Sequence, residues 1–165
     1  QNRVGTRTHQ RSIGSKSTLK DLEKWVNTLI ETNDWGVGMT HGLTYGYDAF
    51  RNPQRLWDHL DQVKARENEI WVGTFREVVS YIKEREETKL EVVNKKNTLL
   101  ITPELKLDQE LFVEPLTMVI TGKEIKKVTV KQGKRRLPVQ ITDDKVLFDF
   151  DPYGGMIKVT LKIQK

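Results

Sequence analysis

The sequence predicts an α/β fold followed by a small all-β fold, and two observations lead to this prediction. In the first half, three segments repeat apolar residues at helical spacing, and short apolar runs separate them. In the second half, apolar and polar residues alternate, and turn residues separate the alternating runs. The change of period near Thr88 predicts one domain over residues 1–88 and a second over residues 89–165.

Three helices are predicted in the first domain. The first has apolar residues on one face from Leu19 to Ile30, and Thr18 with Asp21 forms a capping-box signal before it. The second begins at Asn52-Pro53, a capping residue followed by proline. This helix is expected to bury Leu56, Leu60 and Val63. The third begins with the capping box from Thr74 to Glu77.

Two buried strands are predicted between these helices, over residues 35–40 and 70–73. Strands that alternate with helices at this spacing are typical of a parallel sheet. Core packing is the expected role of Trp35, Trp57 and Trp71. Because two strands do not close a sheet, the first half is expected to be the end of an α/β domain.

The second domain is predicted to be a small antiparallel β-sandwich. Seven short runs have strand character, at residues 90–92, 98–101, 116–120, 125–130, 139–141, 146–148 and 157–163. Thr142-Asp143-Asp144 lies between two of these runs and predicts a hairpin turn. No Gly/Ser-rich linker separates the domains, so we expect them to pack together.

Composition excludes several classes of function. The 165 residues include no cysteine and carry a formal net charge of +5. No stretch is apolar for long enough to predict a membrane span. The cationic excess lies in residues 89–165, mainly in Lys123, Lys126, Lys127, Lys131, Lys134, Arg135 and Arg136. Such a set can bind nucleic acid or anionic glycans, and a solvated face is the more common case. No aromatic residues are interleaved with it, so no nucleic-acid partner is expected.

His41 is the principal candidate for a functional residue. It follows Met39-Thr40 at the end of the predicted strand, where α/β folds usually place their chemistry. The loop after it contains Tyr45 and Tyr47, whose position favours contact with a polar ligand. A histidine at this position can also simply cap a strand, and the spacing alone leaves both interpretations open.

The other two histidines are weaker candidates for functional residues. His59 lies within the second helix, and an exposed helix surface is its expected place. His9 lies in a polar run, residues 7–11, which could line a site or be unstructured surface. No two histidines have the spacing of metal ligands, so the chain does not by itself encode a zinc site.

Residues 35–86 resemble the C-terminal part of the polysaccharide deacetylases, the carbohydrate esterases with a NodB homology domain. Met39-Thr40-His41 matches the family's pattern of an apolar residue, any residue and histidine. Residues 70–79 look like the family's final strand and helix. The resemblance implies that residues 1–88 are the C-terminal portion of a deformed (β/α) barrel. It also implies a metal-dependent hydrolase that removes N- or O-acetyl groups from a polysaccharide or oligosaccharide.

The resemblance further implies roles for individual residues. His41 would be the general acid, and Met39 would line the pocket for the acetyl methyl group. Tyr45, Tyr47 and Trp35 are the candidate sugar contacts. The family's catalytic Asp motif and its histidine pair are absent. The implied divalent metal, with zinc as the expectation, would therefore be held by an N-terminal part of the same protein. The chain begins without Met, which we expect of the interior of a longer protein.

The resemblance implies a secreted, periplasmic or cell-surface location. Two other functions remain open at this point. The chain could be a non-catalytic carbohydrate-binding protein, with the tyrosines and Trp35 as sugar platforms. Alternatively, the β-sandwich could be a structural spacer without a ligand.

Overall fold

The computed structural model describes residues 8–122, 125–142 and 144–163. The chain divides into two compact units, and the boundary lies between Val72 and Gly73. The domain boundary expected from the sequence lies later, near Thr88. Residues 73–88 therefore belong to the second unit.

The first unit is a β-α-β arrangement followed by a second helix. Its elements are β1 (Thr8–Ser12), α1 (Leu19–Thr32), β2 (Trp35–Met39) and α2 (Gln54–Lys64). The two strands pair in parallel, from Thr8 opposite Trp35 to Ser12 opposite Met39. The core of this unit is small and consists of Ile13, Leu22 and Phe50, with Leu56 packed against them.

The predicted start of α1 is confirmed. Thr18 Oγ1 accepts a hydrogen bond from the Asp21 amide, and the Asp21 carboxylate accepts one from the Thr18 amide. Asn33 ends the helix in the left-handed conformation, with φ of 54°. The strand β1 was not predicted, because its sequence THQRS contains no apolar residue.

The face that α2 buries differs from the predicted one. The helix begins directly after Pro53, where Asn52 Oδ1 accepts a hydrogen bond from the Gln54 amide at 3.0 Å. His59 is only 5 % exposed, whereas Leu60 is 46 % exposed. The expectations of an exposed His59 and a buried Leu60 are both wrong. An i to i+4 apolar pattern locates a helix face only approximately, and here the buried face is centred on the histidine.

The predicted barrel portion is wrong. The described part of the chain contains three helices and three small sheets, and the sheet of the first unit has two strands. The expected strand at residues 70–73 is absent from that sheet. Trp71 is 50 % exposed, and Trp57 is 43 % exposed, so their predicted burial is also wrong. An apolar run forms a strand only where it joins a sheet, and residues 70–73 are in none of the three sheets formed by the described residues.

The described residues of the second unit form one helix and eight strands. They are α3 (Phe75–Glu87), β3 (Lys89–Lys95), β4 (Thr98–Glu104), β5 (Leu116–Thr121), β6 (Ile125–Gln132), β7 (Arg135–Leu137), β8 (Gln140–Ile141), β9 (Lys145–Phe150) and β10 (Ile157–Ile163). The capping box from Thr74 to Glu77 begins α3, as predicted.

Two antiparallel sheets share one core in this unit. One has the strand order β3-β4-β10-β6-β7, and the other has the order β5-β9-β8. Both sheets contribute to the buried cluster, which consists of Ile101, Leu116, Val128, Val130, Leu137, Val146, Phe148, Phe150, Ile157 and Val159. This arrangement is compatible with the predicted β-sandwich. The strand β7 was not predicted, because only one of its three residues is apolar.

The five-stranded sheet has two edges of unequal length. At one edge lies β3, which has seven residues, all of them exposed. At the other edge lies β7, which has three residues. Leu90, Val92 and Val93 of β3 are between 42 % and 54 % exposed.

The helix α3 is attached to the β-strands through a buried carboxyl group. Glu84 is fully buried, and its Oε1 accepts a hydrogen bond from the Glu114 amide at 3.1 Å. The second oxygen, Oε2, is buried and has no hydrogen-bond partner among the described residues. Thr88 Oγ1 donates to the Glu84 carbonyl at 2.6 Å and closes the end of the helix. These contacts explain why residues 73–88 belong to the second unit.

The basic residues of the second unit lie mainly on the solvent side. Lys127, Lys131, Lys134, Arg135 and Arg136 are exposed, while Val128 and Val130 between them are buried. The predicted solvated face is confirmed for these residues. Lys123 and the side chain of Lys126 lie outside the described residues.

The predicted hairpin turn between β8 and β9 is confirmed for its described residues. The Thr142 amide donates to the Lys145 carbonyl at 2.9 Å, and the Lys145 amide donates back to Thr142. Asp143 lies outside the described residues.

Candidate functional site

The candidate site lies at the carboxyl edge of the parallel β1–β2 pair. Ser12 and Met39 are the last residues of the two strands and lie opposite each other. The Ile13 amide continues the pairing by donating to the Met39 carbonyl at 2.8 Å. His41 follows two residues later and is exposed. Parallel strands bring the segments that follow them to one edge, so two loops meet beside this imidazole.

The loop after β2 is anchored at both ends. Thr40 Oγ1 donates to the Gly42 carbonyl at 3.1 Å, and the Phe50 amide donates to the same carbonyl at 3.3 Å. Ala49 and Phe50 are buried at its far end. A side chain at Gly42 would collide with the Tyr45 carbonyl, and Gly46 has φ of 110°. The two glycines therefore allow a tight loop that a residue with a Cβ atom would disturb.

The tight loop presents two tyrosines to solvent. Tyr45 is 85 % exposed, and Tyr47 is 81 % exposed. The Tyr47 and His41 rings meet edge to face, with their centroids 5.4 Å apart and their planes at 78°. This contact holds the imidazole beside an aromatic ring while both remain open to a ligand.

A second contact joins the loop after β2 to the segment after β1. Asp48 Oδ1 accepts hydrogen bonds from the Ser15 hydroxyl at 2.7 Å and from the Ser15 amide at 3.2 Å. The Ser15 hydroxyl is the main reason why the pKa of Asp48 lies below its ordinary value, and Lys16 and His41 lower that pKa further. Arg55 Nη1 donates to the Ser15 and Ser17 carbonyls, both at 3.0 Å. Asp48, Ser15 and Arg55 thus fix the two loops around His41.

The sequence did not single out Asp48 or Ser15. The two residues are 33 positions apart, and each lies in a polar loop. Only the parallel pairing of β1 with β2 brings them together. Since β1 was not predicted, this contact could not be predicted either.

The predicted substrate contacts do not all come together. Met39 is 40 % exposed and lies two residues before His41 at the same edge. Trp35 is the first residue of β2, at the opposite end of the strand. Met39 lies four positions further along the extended strand, which is a distance of about 13 Å. Met39, Tyr45, Tyr47 and His41 therefore belong to one surface, and Trp35 does not.

The remaining histidines lie away from this surface. His9, in β1, is opposite Gly36, and its Nε2 lies 2.7 Å from Asp34 Oδ2. His59 is buried in α2, and burial lowers its pKa below the ordinary value of histidine. Within the part of the chain that the structure describes, its Nδ1 atom has no hydrogen-bond partner. The structure places His9 in a strand, so the expectation of unstructured surface is wrong.

The described residues do not form a metal site by themselves. Within residues 8–122, 125–142 and 144–163, no group of three or more His, Cys, Asp or Glu side chains is placed to hold a metal ion. The pair of His9 and Asp34 supplies two donors. The divalent metal that the family resemblance implies thus remains a prediction. No helix among the described residues is long and apolar enough to cross a membrane.

Comparisons with known proteins give little further information. No family model and no curated protein matches the chain. Among solved structures, an α-fucosidase from Thermotoga maritima matches at 11 % identity and a TM-score of 0.30, covering 93 % of this chain and 39 % of that chain. The same enzyme in complex with a mechanism-based inhibitor matches at 10 % identity and a TM-score of 0.30, covering 96 % of this chain and 40 % of that chain. The chain spans about two fifths of their length. A likeness at this TM-score indicates neither a family nor an activity.

Proposed function

We propose that the surface formed by Met39, His41, Tyr45 and Tyr47 binds an acetylated glycan and that the protein is a carbohydrate deacetylase. The observation that supports this proposal most directly is the exposed imidazole of His41 at the carboxyl edge of a parallel strand pair, in edge-to-face contact with Tyr47. The match of Met39-Thr40-His41 to the deacetylase pattern supports it from the sequence.

The two tyrosines favour a sugar as the ligand. Each tyrosine offers an apolar ring face to the C–H groups of a sugar ring and a hydroxyl group to the sugar hydroxyls. Both rings project from a loop that Gly42, Phe50 and Asp48 hold in place. Because the loop is already fixed, it loses less conformational entropy when a ligand binds.

The proposed chemistry is hydrolysis of an acetyl ester or acetyl amide. The oxygen of a water molecule bonds to the acetyl carbon, the bond to the sugar oxygen or nitrogen breaks, and acetate leaves. The departing sugar atom needs a proton, which protonated His41 donates as general acid. Met39 offers an apolar surface to the acetyl methyl group, since its side chain is partly exposed at the same edge.

The residue that activates the water is proposed to come from another part of the protein. The family resemblance implies a divalent metal in that role, but the described donors do not form its site. The steps assigned to His41 and Met39 do not depend on which group activates the water. A glycan substrate fits a secreted, periplasmic or cell-surface protein, and we propose that location.

A second candidate function is glycan binding without catalysis. The high exposure of Tyr45 and Tyr47 favours it, because two solvent-facing rings on one loop are sufficient for a sugar platform. In this case, His41 would supply only a hydrogen bond to a sugar hydroxyl.

Acetate release distinguishes the two functions. We expect the protein that includes the N-terminal part implied by the resemblance, supplied with zinc, to release acetate from an N-acetylated or O-acetylated oligosaccharide. The His41→Ala variant should lower turnover by roughly a hundred- to ten-thousand-fold. The matched control is His9→Gln, which changes a histidine on the other strand and should keep parental turnover.

Three experimental outcomes decide between these functions. Equal turnover of parent and His41→Ala would remove His41 from the chemistry. Binding of the oligosaccharide by the parent without acetate release would favour the non-catalytic function. Tyr45→Ala combined with Tyr47→Ala should weaken binding in both cases, and unchanged binding would contradict the assignment of this surface.

A further inference from the structure

We propose that a cleft in the second unit, which we call the arginine cleft, binds a saccharide that bears a carboxylate group. The cleft has a volume of about 400 Å³ and is lined by Arg135, Arg136, Asp149, Asp151, Pro115 and Pro138, among others. This inference goes beyond the function proposed for His41, since it concerns other residues and a binding event without catalysis.

The cleft is formed where three segments meet. The strand β7 supplies the two arginines and pairs only with β6, so it is the edge of its sheet. The end of β9 supplies Asp149, and Asp151 follows directly after the strand. The segment before β5 supplies Pro115. A cleft at a sheet edge is accessible to an oligosaccharide, and its walls are held in place by the strands.

The walls of the cleft are held in place by buried groups. Leu137 and Phe150 also line the cleft, and both are almost fully buried. The buried Gln132 side chain donates to the carbonyls of Asp151 at 2.6 Å and Gly155 at 3.2 Å, and it accepts from the Asp151 amide at 3.1 Å. These bonds fix the end of β9 against the neighbouring sheet. The site therefore exists before a ligand arrives.

The formal charges of the two arginines and two aspartates in the cleft cancel, and it is the availability of the arginines that favours an anionic group on the ligand. Asp149 already accepts a hydrogen bond from the Thr117 hydroxyl at 2.7 Å, and Asp151 accepts one from the Tyr153 amide at 2.8 Å. Arg135 and Arg136 are exposed, and no carboxylate of the described residues forms an ion pair with either. A guanidinium group binds a carboxylate through two parallel hydrogen bonds. Two such groups are available here to a carboxylate from outside the protein.

The other lining groups favour a sugar ring over a simple anion. Pro115 and Pro138 offer apolar surfaces that match the C–H face of a sugar. Val113, which lines the same cleft, is 62 % exposed. Each aspartate retains free lone pairs that can accept hydrogen bonds from sugar hydroxyls. Cationic donors, acidic acceptors and an apolar wall together complement a uronic acid.

The test is a calorimetric titration of the full chain with trigalacturonic acid. We expect saturable binding, which Arg135→Gln combined with Arg136→Gln weakens about tenfold or more. The matched control is Lys134→Gln, which removes one exposed positive charge from the turn beside β7 and should change the affinity less than twofold. Raising the salt concentration from about 0.05 M to about 0.5 M should weaken binding, since salt screens exposed charges.

Further titrations separate the possible ligands. An uncharged trisaccharide such as maltotriose should bind at least tenfold more weakly than the uronate. Inorganic phosphate and a glutamate-rich peptide should also bind more weakly, and equal affinity for either would overturn the saccharide assignment. The proposal is also overturned if trigalacturonic acid does not bind, or if the double arginine variant binds it as well as the parent. Acetate release by the His41 surface is measured separately, so either proposal can fail without the other.

Discussion

Single residues in this chain show how burial changes the chemistry of a side chain. Glu84 is fully buried, and desolvation raises the pKa of its carboxyl group above the ordinary value. The hydrogen bond from the Glu114 amide opposes this shift, while the carboxylates of Glu114 and Asp151 add to it. The folded protein therefore holds the proton of Glu84 more tightly than the unfolded chain does.

The pH dependence of stability should reveal this group. A raised pKa means that the contribution of Glu84 to stability is fully present below its unfolded pKa, about 4.5, and is lost as the pH rises through the folded value. Glu84→Gln cannot ionise but keeps an oxygen for the Glu114 amide. We expect the variant to lose less stability than the parent between about pH 4.5 and pH 8, as measured by urea unfolding of the second unit.

Two other variants test whether burial is the cause. Glu84→Ala leaves the Glu114 amide without its acceptor and should lower the free energy of unfolding by about 1–3 kcal/mol. Glu87→Gln, at an exposed position on the same helix, should leave the pH dependence unchanged. A parallel pH profile for the parent and Glu84→Gln would show that Glu84 is not the titrating group.

At the scale of elements, the features that depend on local sequence signals were predicted correctly. The features that depend on tertiary partners were not. The capping boxes at Thr18 and Thr74 begin their helices as expected, because each is complete within four residues. The polar strand β1 was missed, and the apolar run 70–73 was wrongly predicted as a strand. Strand formation depends on a neighbour that is remote in sequence, and so does the site contact between Asp48 and Ser15. By contrast, the positions of His41 and its tyrosines follow from β2 and its loop alone.

The packing of α1 against β2 depends on one glycine. A Cβ atom at Gly36 would collide with Leu29 Cδ1 and come within 3.0 Å of Trp25. Gly36→Ala should therefore lower the free energy of unfolding of the first unit by about 1–3 kcal/mol. Thermal unfolding monitored by circular dichroism measures this change.

The matched control is Gly38→Ala on the same strand. Its nearest neighbour would be Ile13 Cδ1 at 3.2 Å, which has to move by only a few tenths of an ångström. We expect Gly38→Ala to lower the free energy of unfolding by less than Gly36→Ala does. Equal losses would mean that the collision with Leu29 is not what makes Gly36→Ala costly, since the entropy effect of replacing glycine by alanine favours folding at both positions.

At the scale of the whole molecule, the two units differ in the size of their cores. The second unit has a cluster of ten buried apolar residues, whereas the first has a cluster of three. Trp57, Leu60, Trp71 and Val72 of the first unit are all more than 40 % exposed. Since burial of apolar surface is the main source of stability, the first unit should be the less stable one.

Two fragments test the independence of the second unit. Residues 73–165 include α3 and should unfold cooperatively on heating. Residues 89–165, the domain expected from the sequence, lack Glu84 and Val78, both buried in the structure. We expect the shorter fragment to unfold at a lower temperature, because its Glu114 amide has lost its acceptor. Equal midpoints in calorimetry would show that α3 adds nothing to the β-sandwich.

The long edge strand β3 has a consequence for the handling of the protein. Its unpaired backbone groups are a template onto which the same strand of another molecule can add. Pairing two copies about Val92 would bring Lys89 of one opposite Lys95 of the other, and this repulsion opposes assembly. Salt screens that repulsion and leaves the exposed valines attractive. Concentrated solutions should therefore remain clear at low ionic strength and become turbid as salt is added.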